Sequence, residues 1–294
     1  MMDLAVSPDE MQLPPERQGI PAPPDLIARR QSMRALAKTQ IHDASAVARL
    51  RTIAGVPCIE VSAVNAQGAL IYAHGGGFRM GEAAVWTGFA SRLAVACGLR
   101  IIVPDYRLAP EHPFPAALRD LIAVFRAVCA EAPSKVFVGG DSAGGGLTCS
   151  LVFNALAYEV QAPAGVVVIS PWLDLRVTAE SYTANASSDR AFSRESAREA
   201  ADQYLQGASP GNAYASPGLA NPAGFPPVIA FVSTSEVLSD DTLQLTARLM
   251  RAGAPVELHA FPGMVHAWPI LMPIAPETTA LIDAVGRFVR AADG

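Results

Sequence analysis

The segment VFVGGDSAGGGLTCSLVFNAL (136–156) reads as a buried strand, a sharp turn and an apolar helix, with Ser142 at the apex. Gly140 and Gly144 flank it in the G-x-S-x-G pattern, whose glycines permit the tight turn that holds a serine hydroxyl clear of the backbone. A serine is a weak nucleophile at neutral pH, so it needs a histidine as base and a carboxylate to orient that histidine. On a strand–turn–helix of this kind the chain order is serine, acid, histidine. His74 precedes Ser142, His42 lies in the N-terminal arm, His112 in a proline-rich loop and His259 within an apolar strand-like run. His266, in the loop FPGMVHAW, has both the order and the setting of the base. The acid is expected after the run PVIAFVS, where STSEVLSDD offers Glu236, Asp240 and Asp241. The two aspartates open a helical stretch, where acidic residues serve capping and the helix dipole. Glu236 is therefore assigned as the orienting acid, with Asp240 as the alternative.

Attack by Ser142 on an acyl carbon creates an oxyanion that must meet donors already in place. The backbone N–H of Ala143, following the serine, is one such donor. A second loop must supply others, and HGGGF (74–78) offers bare backbone directly after the strand-like ALIYA. A phosphate-binding role for these glycines lacks the Walker lysine and the GxGxxG helix opening.

These residues need a scaffold that buries strands on both faces. The runs PCIEVSAV, ALIYAH, RIIVPD, KVFVGG, GVVVIS, PVIAFVS and PVELHAF are short, β-rich and apolar rather than alternating, which suits an internal, mostly parallel sheet. Between them lie the helical stretches WTGFASRLAVACG, AALRDLIAVFRAVCAEA, GGLTCSLVFNALAYEV and DDTLQLTARLMRAG, the last ended by Gly253. Strands alternating with helices predict an α/β fold. Residues 1–50 differ, with the proline-rich PPERQGIPAPPDL followed by DLIARRQSMRALAKT, which puts Leu26, Met33, Leu36 and Ala37 on one helical face. A polar insertion at about 176–215 carries the amphipathic helix SRESAREAADQYLQG, with Ala197, Ala200, Ala201, Tyr204 and Leu205 on its apolar side, and is a candidate lid.

Composition limits the partners. The 294 residues are 51% apolar and 17% charged, with a formal net charge of −5 and no Lys/Arg cluster, which argues against nucleic acid or an anionic membrane and for a small, largely uncharged molecule. Cys58, Cys97, Cys129 and Cys149 have neither CxxC spacing nor a neighbouring histidine cage and are expected to be free core thiols. The start MMDLAVSPDEMQL lacks a basic and an apolar leader region, and no apolar run approaches the roughly 20 residues of a membrane span, so the expected location is the cytoplasm.

Taken in order, HGGGF, DYRLAPEHPFPAALRD, GDSAGGG, ISPWLDL, YASP with FPPV, SEVLSDD and GMVHAW resemble the hormone-sensitive-lipase-like family of α/β-hydrolases, which contains many bacterial carboxylesterases. The resemblance covers roughly residues 55–290. It implies a catalytic domain over 51–294 built on a mostly parallel sheet of about eight strands flanked by helices. It also implies a helical cap made from residues 1–50 and the 176–215 insertion. By the same resemblance the N–H groups of Gly76, Gly77 and Ala143 form the oxyanion hole, His74 is structural, and Tyr106, Arg107 and Pro110 shape a supporting loop. Members of the family often form homodimers. Two positions depart from its pattern: Glu236-Val237-Leu238 stands where an aspartate followed by proline and leucine is common, and Gly146 stands where the serine motif often has asparagine.

The expected activity is hydrolysis of small, short-chain carboxylic esters through an acyl-enzyme, without metal or organic cofactor. A lactonase or amidase would use the same residues. A ligand-binding protein on this scaffold would be expected to lack one of them. Trp86, Phe89, Tyr204 and Trp268 are candidate pocket-lining aromatics.

Overall fold

The computed structural model describes residues 12–131, 135–158 and 161–292. Most of the N-terminal stretch read for a leader, up to residue 11, lies outside them. Eight strands form one sheet: β1 (Ala46–Ile53), β2 (Val56–Ala63), β3 (Ala69–Ala73), β4 (Arg100–Pro104), β5 (Val136–Asp141), β6 (Val166–Ile169), β7 (Val228–Ser233) and β8 (Val256–Phe261). Their spatial order is β1-β2-β4-β3-β5-β6-β7-β8. β2 runs antiparallel to both neighbours, and the strands from β4 through β8 are mutually parallel. This is the α/β-hydrolase architecture.

Parallel neighbours cannot be joined by a hairpin, so helices cross between them and cover both faces. The helices are α1 (Pro24–Ala35), α2 (Ala83–Cys97), α3 (Ala116–Glu131), α4 (Ala143–Ala157), α5 (Ser181–Ala184), α6 (Arg194–Leu205), α7 (Ser239–Arg251), α8 (Trp268–Leu271) and α9 (Pro276–Ala291). Alternate strand residues divide the core into two layers. Ile71, Val138, Val168 and Ala230 meet α3, α4 and α7 on one face, whereas Leu70, Phe137, Val167 and Ile229 meet α2 and α9 on the other. Every residue of β3, β5, β6 and β7 is buried, which is why these strands read as unbroken apolar runs.

Two elements escaped that reading. β1 is an edge strand with Val47 and Leu50 exposed and with Arg49 and Arg51 reaching back to the buried Glu60. Its polar, two-sided pattern carries no buried-strand signature, and its register comes from the tight Ala54-Gly55 hairpin to β2. Residues 46–50 consequently belong to the sheet, not to an N-terminal cap that ends at residue 50. The second is α9, which packs along α2 through Leu281, Ile282, Val285 and Val289.

The N-terminal arm and the insertion meet above the strand ends. Arg30 donates to the carbonyls of Arg79 and Ala109 and pairs with Glu111, while Arg17 donates to the carbonyls of Leu205 and Gln206. α6 is capped by Ser193, whose hydroxyl accepts from Ser196 N, and it buries the five residues of its apolar face. Gln206 and Gly207 end it in left-handed conformations.

Candidate active site

Ser142 adopts φ 53° and ψ −123°, between the last residue of β5 and the first of α4. That conformation is strained for a residue with a side chain and persists only where the surroundings impose it. Here they do: Ser142 N donates to Ile169 O at 2.9 Å and Ser142 O accepts from Trp172 N at 2.9 Å, so the turn is pinned to the end of β6. Gly146, one turn into α4, lies against the Trp172 carbonyl, where a Cβ would collide. A larger residue at this position would require the backbone at Trp172 to shift.

The hydroxyl of Ser142 lies 2.8 Å from His266 Nε2, and His266 Nδ1 lies 2.7 Å from Glu236 Oε2. The three side chains thus form one hydrogen-bonded chain, although they stand 124 and 30 residues apart along the sequence. Glu236 is fully buried, and its second oxygen accepts from Ser170 Oγ at 2.6 Å and from Ser233 N at 2.9 Å. Burial disfavours the imidazolium of His266. The hydrogen bond and charge of Glu236, aided by Asp189 and Asp141, outweigh that effect and hold the pKa above the ordinary histidine value.

Asp240 and Asp241 are elsewhere. Asp240 accepts from Ser181 N at 2.9 Å, and Asp241 accepts from Leu173 N and Asp174 N at 2.6 and 3.2 Å. Both lie in the first turn of α7, as expected, yet neither caps it: their carboxylates hold the segment leading into the insertion. Burial pushes the Asp241 carboxyl up to about 7.

Gly76 and Gly77 have φ 118° and 61°, values that favour glycine, and a Cβ on Gly76 would strike the Met80 carbonyl. Among the described residues no hydrogen bond takes up the amides of Gly76, Gly77 or Ala143. The loop is braced from behind. His74 is fully buried, its Nδ1–H faces Gly75 O at 2.7 Å, and its ring stacks on Tyr106, whose hydroxyl donates to His74 O. Burial lowers its pKa to about 4, so it is a neutral spacer away from Ser142. Asp141 accepts from Gly75 N, Tyr72 Oη and Trp86 Nε1, which fastens the glycine loop to β5. Arg107 bridges Asp120 and Glu16, and the Pro110 carbonyl receives Ile20 N and Gln206 Nε2.

Ser142 and His266 line a cavity of about 280 Å³ together with Gly76, Gly77, Met80 and Trp86. Met33 and Leu36 from the N-terminal arm, Phe192 and Ala200 from the insertion, and Ile270 and Leu271 from the α8 region complete mainly apolar walls. Of the four aromatics that were candidates for the cavity or the core, Trp86 lines the cavity. Phe89 packs on Tyr72, Tyr204 on Phe78 and Trp268 on Phe261, all in the core. Phe192, with its ring 5.4 Å from that of His266, was missed. Its signal was faint, a single aromatic in the polar stretch just before α6. Among the described residues no helix is long and apolar enough to cross a membrane, and the four cysteines are unbridged.

A family profile described as the alpha/beta hydrolase fold matches residues 70–270. An acetyl-hydrolase of Streptomyces hygroscopicus is 34% identical over 227 residues, covering 76% of each chain. The carboxylesterase NlhH of Mycobacterium tuberculosis is 34% identical over 232 residues, covering 71% of this chain and 70% of its own. A solved esterase from the bacterial hormone-sensitive lipase family superposes with a TM-score of 0.88 at 33% identity, over 98% of this chain and 95% of that one. With a profile match over most of its length and relatives at this identity and coverage, this chain belongs to the hormone-sensitive-lipase-like family of α/β-hydrolases.

Proposed function

We propose that this enzyme is a serine carboxylesterase that cleaves small, short-chain carboxylic esters through an acyl-enzyme. The observation that carries the reading is the unbroken chain from Ser142 Oγ through His266 to Glu236, at 2.8 and 2.7 Å, opening on a mainly apolar cavity. The names of the relatives, an acetyl-hydrolase and a carboxylesterase, agree with it.

In this scheme Glu236 fixes the tautomer with hydrogen on Nδ1, which leaves Nε2 free to accept the proton of Ser142. The serine oxygen attacks the acyl carbon, and the negative charge moves to the carbonyl oxygen, where the amides of Gly76, Gly77 and Ala143 receive it. Collapse breaks the ester C–O bond, and the proton on Nε2 passes to the departing alcohol. Water then gives its proton to Nε2 and attacks the acyl-enzyme, and return of that proton to Ser142 releases the acid. A cavity of about 280 Å³ lies just below the usual range of ligand-site volumes, roughly 300–1,000 Å³, which favours short acyl groups.

The test is an acyl-chain series of p-nitrophenyl esters with a lactone and an amide included, run beside Ser142→Ala. The expected result is a maximum at short chains and loss of turnover in the variant. Turnover that survives in Ser142→Ala overturns the reading, and a preference for the lactone or the amide reassigns the substrate on the same residues.

A further inference from the structure

Glu236 is held from two sides. Ser170 Oγ and Ser233 N donate to its carboxylate from the sheet side, but the peptide group that follows it is gripped by the insertion. Asn185 Nδ2 donates to the Glu236 carbonyl at 2.8 Å, and the N–H of the same peptide, on Val237, donates to Asp189 Oδ2 at 2.9 Å. Neighbouring contacts extend the grip: Asn185 Nδ2 to Thr234 O, Ser188 Oγ to Ser235 O and Ser181 Oγ to Val237 O. The other oxygen of Asp189 accepts from Ala191 N and Phe192 N at 3.0 and 3.1 Å. Phe192 in turn stacks on His266. Asp189 is buried, so these three backbone donors satisfy a carboxylate that would be costly to leave unpaired.

We infer that Asp189, with Asn185, is a positioning residue for catalysis: one carboxylate sets both the backbone of the acid and the ring that covers the base, and so couples the insertion to the catalytic chain. The inference rests on the triad reading above. Its physical basis is that a peptide plane fixed at both its C=O and its N–H cannot rotate, and the side chain it carries inherits that rigidity. A further consequence concerns the insertion itself. Residues 185–192 cannot lift from the site without breaking the hydrogen bonds that hold the peptide after Glu236.

Asp189→Asn tests this. The amide places an N–H₂ against one set of backbone donors, loosening either the Glu236 peptide or Phe192. The expected loss in kcat is about 10²-fold, the scale of a small misplacement of a catalytic group, with a smaller change in KM. Three carboxylates, Glu236, Asp189 and Asp141, act on the His266 ring from the elements around it. Removing one of these charges moves the acid limb of kcat/KM to lower pH. In a Glu236→Gln background the same substitution costs clearly less than in the wild type, because the acid it positions is already gone and only the share carried through Phe192 is left.

If circular dichroism shows Asp189→Asn to be unfolded, Asn185→Ala reads the other side of the same peptide, with an expected loss of about tenfold. A normal kcat and an unshifted limb in the folded variant overturn the inference, as does a full, additive loss in the Glu236→Gln background. A Glu236→Gln enzyme with wild-type kcat instead overturns the triad reading itself.

Discussion

Replacing Glu236 by glutamine tests the role proposed for it as the acid, because the site itself decides which way the amide turns. Among the described residues Oε1 faces two donors, Ser170 Oγ at 2.6 Å and Ser233 N at 2.9 Å, whereas Oε2 faces one, His266 Nδ1 at 2.7 Å. The amide oxygen therefore takes the side with two donors, and the NH₂ turns toward the imidazole. Facing a donor, Nδ1 becomes the acceptor, and the ring proton moves to Nε2, where it blocks transfer from Ser142. That wrong tautomer costs about 10⁴-fold in kcat where the same logic has been measured in a serine protease, equivalent to about 5 kcal/mol of barrier. The shape is nearly conserved, so thermal stability should change little beside the activity. The assay is steady-state hydrolysis of p-nitrophenyl acetate, with active-site titration by a fluorophosphonate to correct for folded enzyme. Asp240→Asn, in which the amide oxygen can still accept from Ser181 N, should keep kcat within a few-fold, roughly the scale of one neutral hydrogen bond. A Glu236→Gln enzyme retaining a tenth or more of its activity, with Asp240→Asn impaired, would refute the assignment and move the acid to Asp240.

Four further outcomes follow from the same geometry. Gly76→Ala, which drives a Cβ into the Met80 carbonyl at φ 118°, should lower kcat by about 10²- to 10³-fold, the worth of an oxyanion donor, while the protein still unfolds cooperatively. The acid limb of kcat/KM should have its midpoint above 6.5, because the net effect of the surrounding carboxylates raises the pKa of His266 and only the neutral ring can accept a proton; a midpoint below that value contradicts the arrangement. Phe192→Ala removes a wall that stacks on His266, and an acyl-chain series should show the optimum moving to longer chains with a rise in KM for acetate esters. Burial pushes the thiols of Cys58, Cys97 and Cys149 up to about 12 and that of Cys129 to about 11, so Ellman's reagent should react slowly with the native enzyme and release four thiols in guanidinium.

Much of the candidate site is legible in the sequence because its signals are local or ordinal. The elbow around Ser142 is written in consecutive residues, since a tight strand-to-helix turn needs small neighbours within a few positions. His266 was singled out among five histidines by chain order and loop context. Glu236 stands out because the aspartates after it have another use. The structure changes what that use is, for their carboxylates hold the insertion rather than cap their own helix. Of four aromatics that were candidates for either the cavity or the core, three lie in the core, because an aromatic side chain carries the same apolar signal in either place.

The sequence by itself determined the internal strands, the crossover helices and the elbow, since each depends on hydrophobic periodicity and glycine spacing within a short window. It did not determine the edge strand β1, whose exposed and charged residues lack the burial that makes a strand visible. Nor did it determine which residues surround the acid. Asn185, Asp189 and Phe192 acquire their roles through hydrogen bonds and ring contacts to residues about 48 to 74 positions away. A polar residue in an insertion looks like any solvated residue until the tertiary fold buries it beside a peptide group that needs its oxygen.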